Sequence, residues 1–575
     1  MADAYEATLA GATNGAAAPP DPADVQSRLS LIEGRLSRIE QALAALGSFG
    51  SAQAARIAPP PSGALRAEPR APAPAPAAAP QRSAPGTPFI QGTPAPTSFL
   101  SPSSAPKVAK APPPPTTPAK APSPAVIRAA AKPFAEQHSV AVLGVRGHGR
   151  KHIENFLTLG DCRISYICDV DLTVGEEGAA YVEQLAGYRP KVVQDFRVAL
   201  DDPSVEAVSI ATPHHWHALA TIWALQAGKH VYLEKPISHT FSEGESIIAA
   251  ARKYGRVVQC GTQLRSNTSL RAAGEFIQSG KLGDVKIVHC IVYKPRPPIP
   301  SIPVKAPSSV DYDLWCGPAS NAPPKRGRFH YSWHWFWEYG NGALGNNGIH
   351  RIDAARIGIG LKGFGDSTMS FGGRFGPDDG AETPNTQIAL HRFGDTWIVQ
   401  EVLGMPTPAW KTVSNGIIFY GAGNTIIYHK GGASLCDASG QFISRFDGKQ
   451  ENHYANFVRA MKANEPQSLT GDLFEGHVSS GLCHLGNISY RVGKPSTDAE
   501  VDAALDAMEA PAFGHETLAR VRAHLTKHKA NAPLTLGRTL KTNPETGAII
   551  GDEEAAALTR RVDRPPYVVP APDRV

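Results

Sequence analysis

A short apolar run, SVAVLG, leads into Gly144-Val145-Arg146-Gly147-His148-Gly149-Arg150. Glycine at a strand end permits a tight turn, glycine beside a phosphate permits close backbone approach, and glycine on the next helix permits packing against the strand. The helix start then offers unpaired N–H groups to a pyrophosphate. Gly144 and Gly149 fill the first and third positions of G-x-G-x-x-G, with Arg146 in the middle and Gly147 one residue on. Alone, that match reads equally as an ordinary strand-to-helix turn. Asp169 ends the next apolar run, RISYICD, twenty residues after Gly149. A carboxylate there accepts from the free 2′ and 3′ hydroxyls of an adenosine ribose and repels a 2′-phosphate, which favours NAD, with NADP the less favoured cofactor. Arg146 and Arg150 soften that preference, and the alternative for Asp169 is a turn or cap residue. His214, His215 and His217 stand together at a strand-to-helix transition, but no carboxylate follows at ligand spacing, so no metal is expected. His477 and His484, seven apart on one helix face with Ser480 and Asn487, read as a hydrogen-bonded packing stripe rather than a zinc site.

The elements that must position these residues alternate. After the first two strands come VEAVSIA, KHVYLEKP and RVVQC, separated by helical stretches such as ALATIWALQAG and GESIIAAARKYG. Apolar strands alternating with helices predict a doubly wound parallel sheet, a Rossmann-type domain over 137–262. Beyond it, VKIVHCIVYK, TQIALHRFG, DTWIVQEVLGM and GIIFYGAGNTIIYHKGG are strand-like and joined by turn residues. They predict a C-terminal α/β domain over 263–575, with a large, mostly antiparallel open sheet and an extended tail. Upstream, Val25, Leu29, Ile32, Leu36, Ile39, Leu43 and Leu46 step by four and three, the seam of a short coiled coil over 25–47. So short a helix needs a partner, and self-association is the favoured reading over a lone docked helix. Residues 1–24 are expected to be disordered and 48–136 to form an extended Pro/Ala-rich linker.

Bulk properties exclude several classes. The chain has 575 residues, 42% hydrophobic and 19% charged, with a formal net charge of +5. Between Pro59 and Pro133 it holds 22 prolines and eight Lys or Arg against one acid, Glu68. The remaining body is near neutral, so no nucleic-acid partner is expected. Seven scattered cysteines without a CxxC pair argue against a disulfide framework and for a reducing compartment. MADAYEATLAGATNG lacks the charged and apolar regions of a secretory signal, and no run spans a membrane. A cytoplasmic protein is expected.

The stretch ATPHHWHALATIWALQAGKHVYLEKPIS carries A-T-P-x-x-x-H, A-G-K-H-V and E-K-P. In these motifs the sequence resembles the glucose–fructose oxidoreductase / inositol dehydrogenase / MocA (Gfo/Idh/MocA) family, over about 139–570. The resemblance implies hydride transfer between nicotinamide and a sugar, polyol or sugar derivative, in a homo-oligomer (dimer or tetramer). It implies that Lys235, of E-K-P, sits beside nicotinamide and the reacting hydroxyl, with Pro236 a candidate for a cis peptide. Thr212, Pro213, His217 and Glu234 fall in the cofactor-binding motifs. A cation near the substrate oxygen would stabilise a developing alkoxide. The family usually places an Asp four residues before a catalytic His. His350 matches the histidine, suited to exchange a hydroxyl proton, but Asn346 stands where the acid is usual and can orient substrate without acting as base. Asp353 is either a partner of His350 or structural, the latter slightly favoured. GTQLRSN (261–267) and FHYSWHWFW look like a subgroup of the family, which makes Arg265, Trp333 and His334 substrate-binding candidates; the Trp333, Trp335 and Trp337 cluster reads equally as pocket wall or core.

Three functions follow as expectations: an NAD-dependent dehydrogenase; a redox-neutral NAD-dependent glycosidase, lyase or epimerase working through a transient keto-sugar; or a non-catalytic scaffold, against which the retention of Lys235 and His350 speaks.

Overall fold

The computed structural model describes residues 123–300, 304–324, 328–376 and 380–575. The expected disordered segment 1–24, the expected coiled coil 25–47 and most of the expected linker 48–136 lie outside them. Strands β1 (His138–Leu143), β2 (Cys162–Cys168), β3 (Lys191–Val193), β4 (Ala207–Ile210), β5 (His230–Leu233) and β6 (Val258–Cys260) form one sheet in the order β3-β2-β1-β4-β5-β6, every pair parallel. β4 and β5 are buried along their whole length, as strands covered on both faces must be. Helices α1 (Pro124–Ala130), α2 (His148–Thr158), α3 (Leu172–Ala186), α4 (Arg197–Asp201), α5 (His214–Gln226) and α6 (Phe241–Tyr254) surround it. The strand order reverses between β1 and β4, which opens a crevice above the carboxyl ends of the strands. Gly144, Asp169, Ala211 and Glu234 are the residues that leave β1, β2, β4 and β5 at that end.

The last part of the expected linker is ordered. α1 buries Ile127 to 2% exposure, and the Arg128 guanidinium donates to the Gln184 and Leu185 carbonyls at the end of α3. Pro124 begins this helix, where its missing N–H costs nothing. One apolar anchor and one cap are thus enough to dock a segment whose composition reads as linker.

The second domain adds α7 (Thr268–Gln278), β7 (Ile287–Tyr293), α8 (Tyr312–Cys316), α9 (Ile349–Ile359), β8 (Ser367–Gly373), β9 (Thr386–Phe393), β10 (Thr396–Leu403), β11 (Asn415–Tyr420), β12 (Asn424–His429), β13 (Gly432–Asp437), β14 (Phe442–Phe446), α10 (His453–Ala463), α11 (Leu473–Arg491), β15 (Lys494–Ser496), α12 (Asp498–Ala507), α13 (Ala512–Lys527) and β16 (Leu534–Leu536). Its sheet runs β14-β13-β12-β11-β7-β10-β9-β8-β16-β15, with β7 and β10 the parallel pair in an otherwise antiparallel order. Both faces are covered. Ala389, Ile398 and Ile417 pack with Ile352 of α9 and Val478 and Leu482 of α11, while Leu390, Val399 and Ile418 pack with Leu505 of α12 and Phe513 and Val521 of α13. α10 leans back on the nucleotide domain, where Tyr454 stacks on Tyr232 at 4.4 Å, and Tyr567 and Val575 of the tail join the core under α5. No described helix is long and apolar enough to cross a membrane.

Candidate functional site

A cleft of 380 Å³ lies above the strand ends and is closed by the loops before α9. Its first half is built by the glycine loop. Gly144 has φ +78°, and a Cβ there would stand 2.8 Å from the Ala211 carbonyl oxygen. A Cβ on Gly149 would stand 2.0 Å from the Gly144 oxygen, so only glycine lets α2 start against β1. Gly147 is different: a Cβ there would meet nothing within 4 Å. It caps α2 with no side chain accepting from the first turn and no acid in it, so free N–H groups face open space. That cradle fits a dinucleotide pyrophosphate. Asp169 takes the N–H groups of Val145 and Asp171 at 2.9 and 3.1 Å, and burial pushes its carboxyl up to about 6. Arg146 lines the cleft, whereas Arg150 turns away to Glu177 at 3.0 Å and is withdrawn as a cofactor contact.

The second half holds Lys235. Its peptide bond to Pro236 is cis. The His217 ring bridges the Pro236 carbonyl, 2.6 Å from Nδ1, and the Thr212 carbonyl, 3.0 Å from Nε2, tying the loops after β4 and β5 together. Lys235 Nζ donates to the Asn346 carbonyl at 2.9 Å and to its Oδ1 at 3.3 Å. Asn346 lies in a π-helical turn, Leu344–Gly348, that runs into α9; such a turn leaves a carbonyl free of the ordinary helical ladder. Burial lowers the Lys235 pKa, Glu234 opposes the shift, and Lys294 and Arg296 add to it. Behind Lys235, Glu234 Oε1 receives Gln263 Nε2 at 2.8 Å and lies 3.2 Å from His152 Nε2 and 3.3 Å from His148 Nε2. Burial alone would raise the Glu234 pKa, but His148 and His152 outweigh it and hold the group well below its ordinary value.

Residues 138–262 match a family model described as the NAD-binding Rossmann fold of the oxidoreductase family, and residues 300–362 match its C-terminal alpha/beta domain. Both matches are to models of the Gfo/Idh/MocA family. Among relatives, 1,5-anhydro-D-fructose reductase of Ensifer adhaerens is 33% identical over 128 residues, 22% of this chain and 38% of that protein. Inositol 2-dehydrogenase of Rhodococcus erythropolis is 31% identical over 161 residues, 28% of this chain and 45% of that one. A glycosyl hydrolase family 109 protein of Shewanella putrefaciens is 30% identical over 118 residues, 20% of this chain and 26% of that one. The chain thus spans less than half the length of these relatives.

The structure sorts the other candidates. Trp333 and His334 line the cleft, their rings stacked 3.6 Å apart at 18°. Trp335 instead packs in the core under the Arg296 guanidinium, 4.4 Å from its ring centre, and Trp337 borders a separate cavity. His350 is half-buried and is not among the residues that line the cleft; its Nδ1 is buried without a hydrogen bond, and burial, then Lys235, hold the ring well below its ordinary pKa. Arg265, expected on the substrate, is paired elsewhere. Its guanidinium grips Asp353 at 2.7 and 3.0 Å and reaches Glu475 at 3.3 Å, outside the cleft lining. Asp353 is accordingly structural. Sequence reasoning assigned no functional role to His148, His214, Lys294 and Tyr331, all on the cleft. The four-residue spacing of His148 and His152 was visible; Lys294, at the end of an apolar strand, carried no signal. His148, His152 and Glu234 also bring three ligand atoms within 4.8 Å of one another, a grouping that does not include His215 or His217.

Proposed function

We propose that the protein is an NAD-dependent oxidoreductase of sugars, polyols or their derivatives, working in the cytoplasm as a homo-oligomer. The observation that carries this reading is the meeting of Lys235, from the nucleotide domain, with Asn346, from the second domain, in the same cleft as the glycine cradle. NAD, when bound, supplies the acceptor for the carbinol hydrogen and its two electrons. The chain's residues do the rest. The backbone N–H groups at the start of α2 hold the pyrophosphate, and Asp169 holds the adenosine ribose. Lys235 exchanges its hydrogen bond to Asn346 for one to the carbinol oxygen and stabilises the alkoxide as the hydroxyl proton leaves. Asn346 fixes the direction of the ammonium. His350, neutral, is the reserve acceptor through which that proton is drawn off on the Lys235 side.

A panel of polyols, aldoses and glycosides, followed by NADH absorbance and by product release together, tests this reading. NADH formation in step with a ketone product is expected; absence of NAD binding and of turnover on the whole panel defeats it. The Asn in place of the usual acid, with a glycosyl hydrolase among the relatives, favours one rival: a transient ketone, elimination of a substituent and no net redox change. Purified protein that retains NAD and turns over glycosides without added cofactor would select it.

A further inference from the structure

Several histidines surround the cleft, and two of the buried or half-buried ones have an unused acceptor. His217 spends both ring nitrogens on carbonyls, and the Nε2 atoms of His148 and His330 face Glu234 and Asp171. His214 and His334 differ. His334 Nδ1 stands 2.7 Å from the Tyr331 carbonyl oxygen. A carbonyl only accepts, so Nδ1 carries the proton and Nε2 keeps its lone pair. His214 Nδ1 stands 3.0 Å from Asn341 Oδ1. The Asn341 amide is not free to flip, because its Nδ2 donates to the His239 carbonyl at 2.8 Å. His214 is therefore held in the same tautomer. Neither Nε2 takes a hydrogen bond from a described residue.

Both rings are also kept neutral. Burial, followed by the neighbouring histidines, holds His214 well below its ordinary pKa, and burial chiefly pushes His334 down to about 3. A neutral imidazole keeps a lone pair on the nitrogen that carries no proton, and that nitrogen accepts a hydrogen bond. The two rings flank Trp333: His214 meets its edge at 4.8 Å, His334 lies on its face, and the histidine centroids are 5.7 Å apart. Two hydroxyls of one sugar ring, each reached by a hydrogen bond of about 2.8 Å, span that distance while the ring rests beside the indole.

We infer that His214 and His334 are a pair of hydrogen-bond acceptors that read two hydroxyl groups of the substrate, which is a polyhydroxylated ring carrying donor hydroxyls beside the carbon that is oxidised. The inference deepens the proposed function and rests on it. It makes a demand that a general apolar or charged pocket does not: the substrate must donate. Replacing one of the two hydroxyls by hydrogen or by fluorine removes the donor, leaves a buried acceptor unpaired, and lowers kcat/KM by about 10- to 100-fold.

The test compares myo-inositol and glucose with their monodeoxy and deoxyfluoro analogues in wild type, His214→Phe and His334→Phe. In wild type, discrimination appears at two hydroxyls, and deoxy and fluoro analogues lose alike. In each variant, discrimination collapses to about threefold or less at one of those positions and persists at the other, as expected when the acceptor is gone. NADH affinity, read by fluorescence, and melting temperature serve as controls. Discrimination that survives both variants overturns the inference, as do variants that weaken NADH binding tenfold while hydroxyl discrimination stays intact. Calorimetry of the same ligands with NADH-loaded protein separates this failure from that of the parent reading. Hydroxyl-dependent binding without NAD reduction defeats the oxidoreductase and keeps the acceptor pair; oxidation without hydroxyl dependence does the reverse; neither binding nor turnover overturns both.

Discussion

Asp169 should make the choice between NAD and NADP depend on pH. Its carboxyl accepts two backbone N–H bonds, which favour the charged form, yet burial outweighs them and pushes it up to about 6, with Asp171 adding to the rise and Arg146 opposing it. A group with that pKa is about 99% ionised at pH 8 and about 10% ionised at pH 5. If only the ionised form rejects the 2′-phosphate, the apparent dissociation constant for NADP scales as one plus the ratio of charged to neutral carboxyl. It should then fall by about 90-fold from pH 8 to pH 5, roughly a decade per unit above pH 6. NAD affinity changes less, because a neutral carboxyl still hydrogen-bonds the ribose. The phosphate of NADP itself titrates near pH 6, in the same direction. Asp169→Asn removes only the protein's share, so the difference between the wild-type and variant slopes isolates the carboxyl. Dissociation constants for both dinucleotides, measured by tryptophan quenching at constant ionic strength over pH 5 to 8, give that difference. Equal slopes in the two proteins, or NADP rejection that strengthens as pH falls, would refute the reasoning.

Lys235→Met is expected to lower kcat/KM by about 10²- to 10³-fold while leaving the NAD dissociation constant within about threefold, since the lost group acts on the substrate oxygen. Gly147→Ala adds a Cβ that touches no protein atom within 4 Å, so thermal stability should hold while NAD affinity falls, a split read by calorimetry and melting. Gly149→Ala puts a Cβ 2.0 Å from a carbonyl oxygen and should cost both, with stability down by about 1–3 kcal/mol in urea unfolding. Asp353→Asn strips the buried partner from Arg265 in a cluster that includes Arg356 and Glu475, and should cost about 3–5 kcal/mol with little effect on cofactor affinity.

The nucleotide domain was legible because its strands are short apolar runs that only a two-sided sheet can bury. The expected start at 137 falls one residue before β1, and the expected end at 262 two residues after β6. The docking of α1 was not legible: in PAVIRAA a single isoleucine carries the contact, and composition outvotes one residue. In the second domain, periodicity predicted strands and pairing but left the outer face unread. In DTWIVQEVLGM the apolar residues come in runs, WIV and VL, rather than alternating, and the strand is buried at consecutive positions, as one covered on both faces must be. α12 and α13 supply the second cover.

In the site, backbone-determined roles were read well and side-chain directions poorly. Gly144, Gly147 and Asp169 follow from where a strand ends, so their place on the cleft was fixed once the strands were. Arg150 and Arg265 are flexible cations whose direction is decided by the nearest acid, and Glu177 and Asp353 took them. The spacing of four between Asn346 and His350 misled in a further way. It assumes a regular helix, whereas the chain makes a π-helical turn at Leu344–Gly348 before α9 begins, and of the two residues Asn346 is the one that lines the cleft. With no acid in the position facing Lys235, the carboxylates on the cleft are Glu234, held by two histidines and Gln263, and Asp169, held by backbone N–H groups. The neutral imidazoles of His214 and His334 therefore offer acceptors in the same cleft as Lys235. A substrate that enters meets the ammonium groups of Lys235 and Lys294, able to donate, and two rings able to accept, which suits a hydroxyl-rich ring.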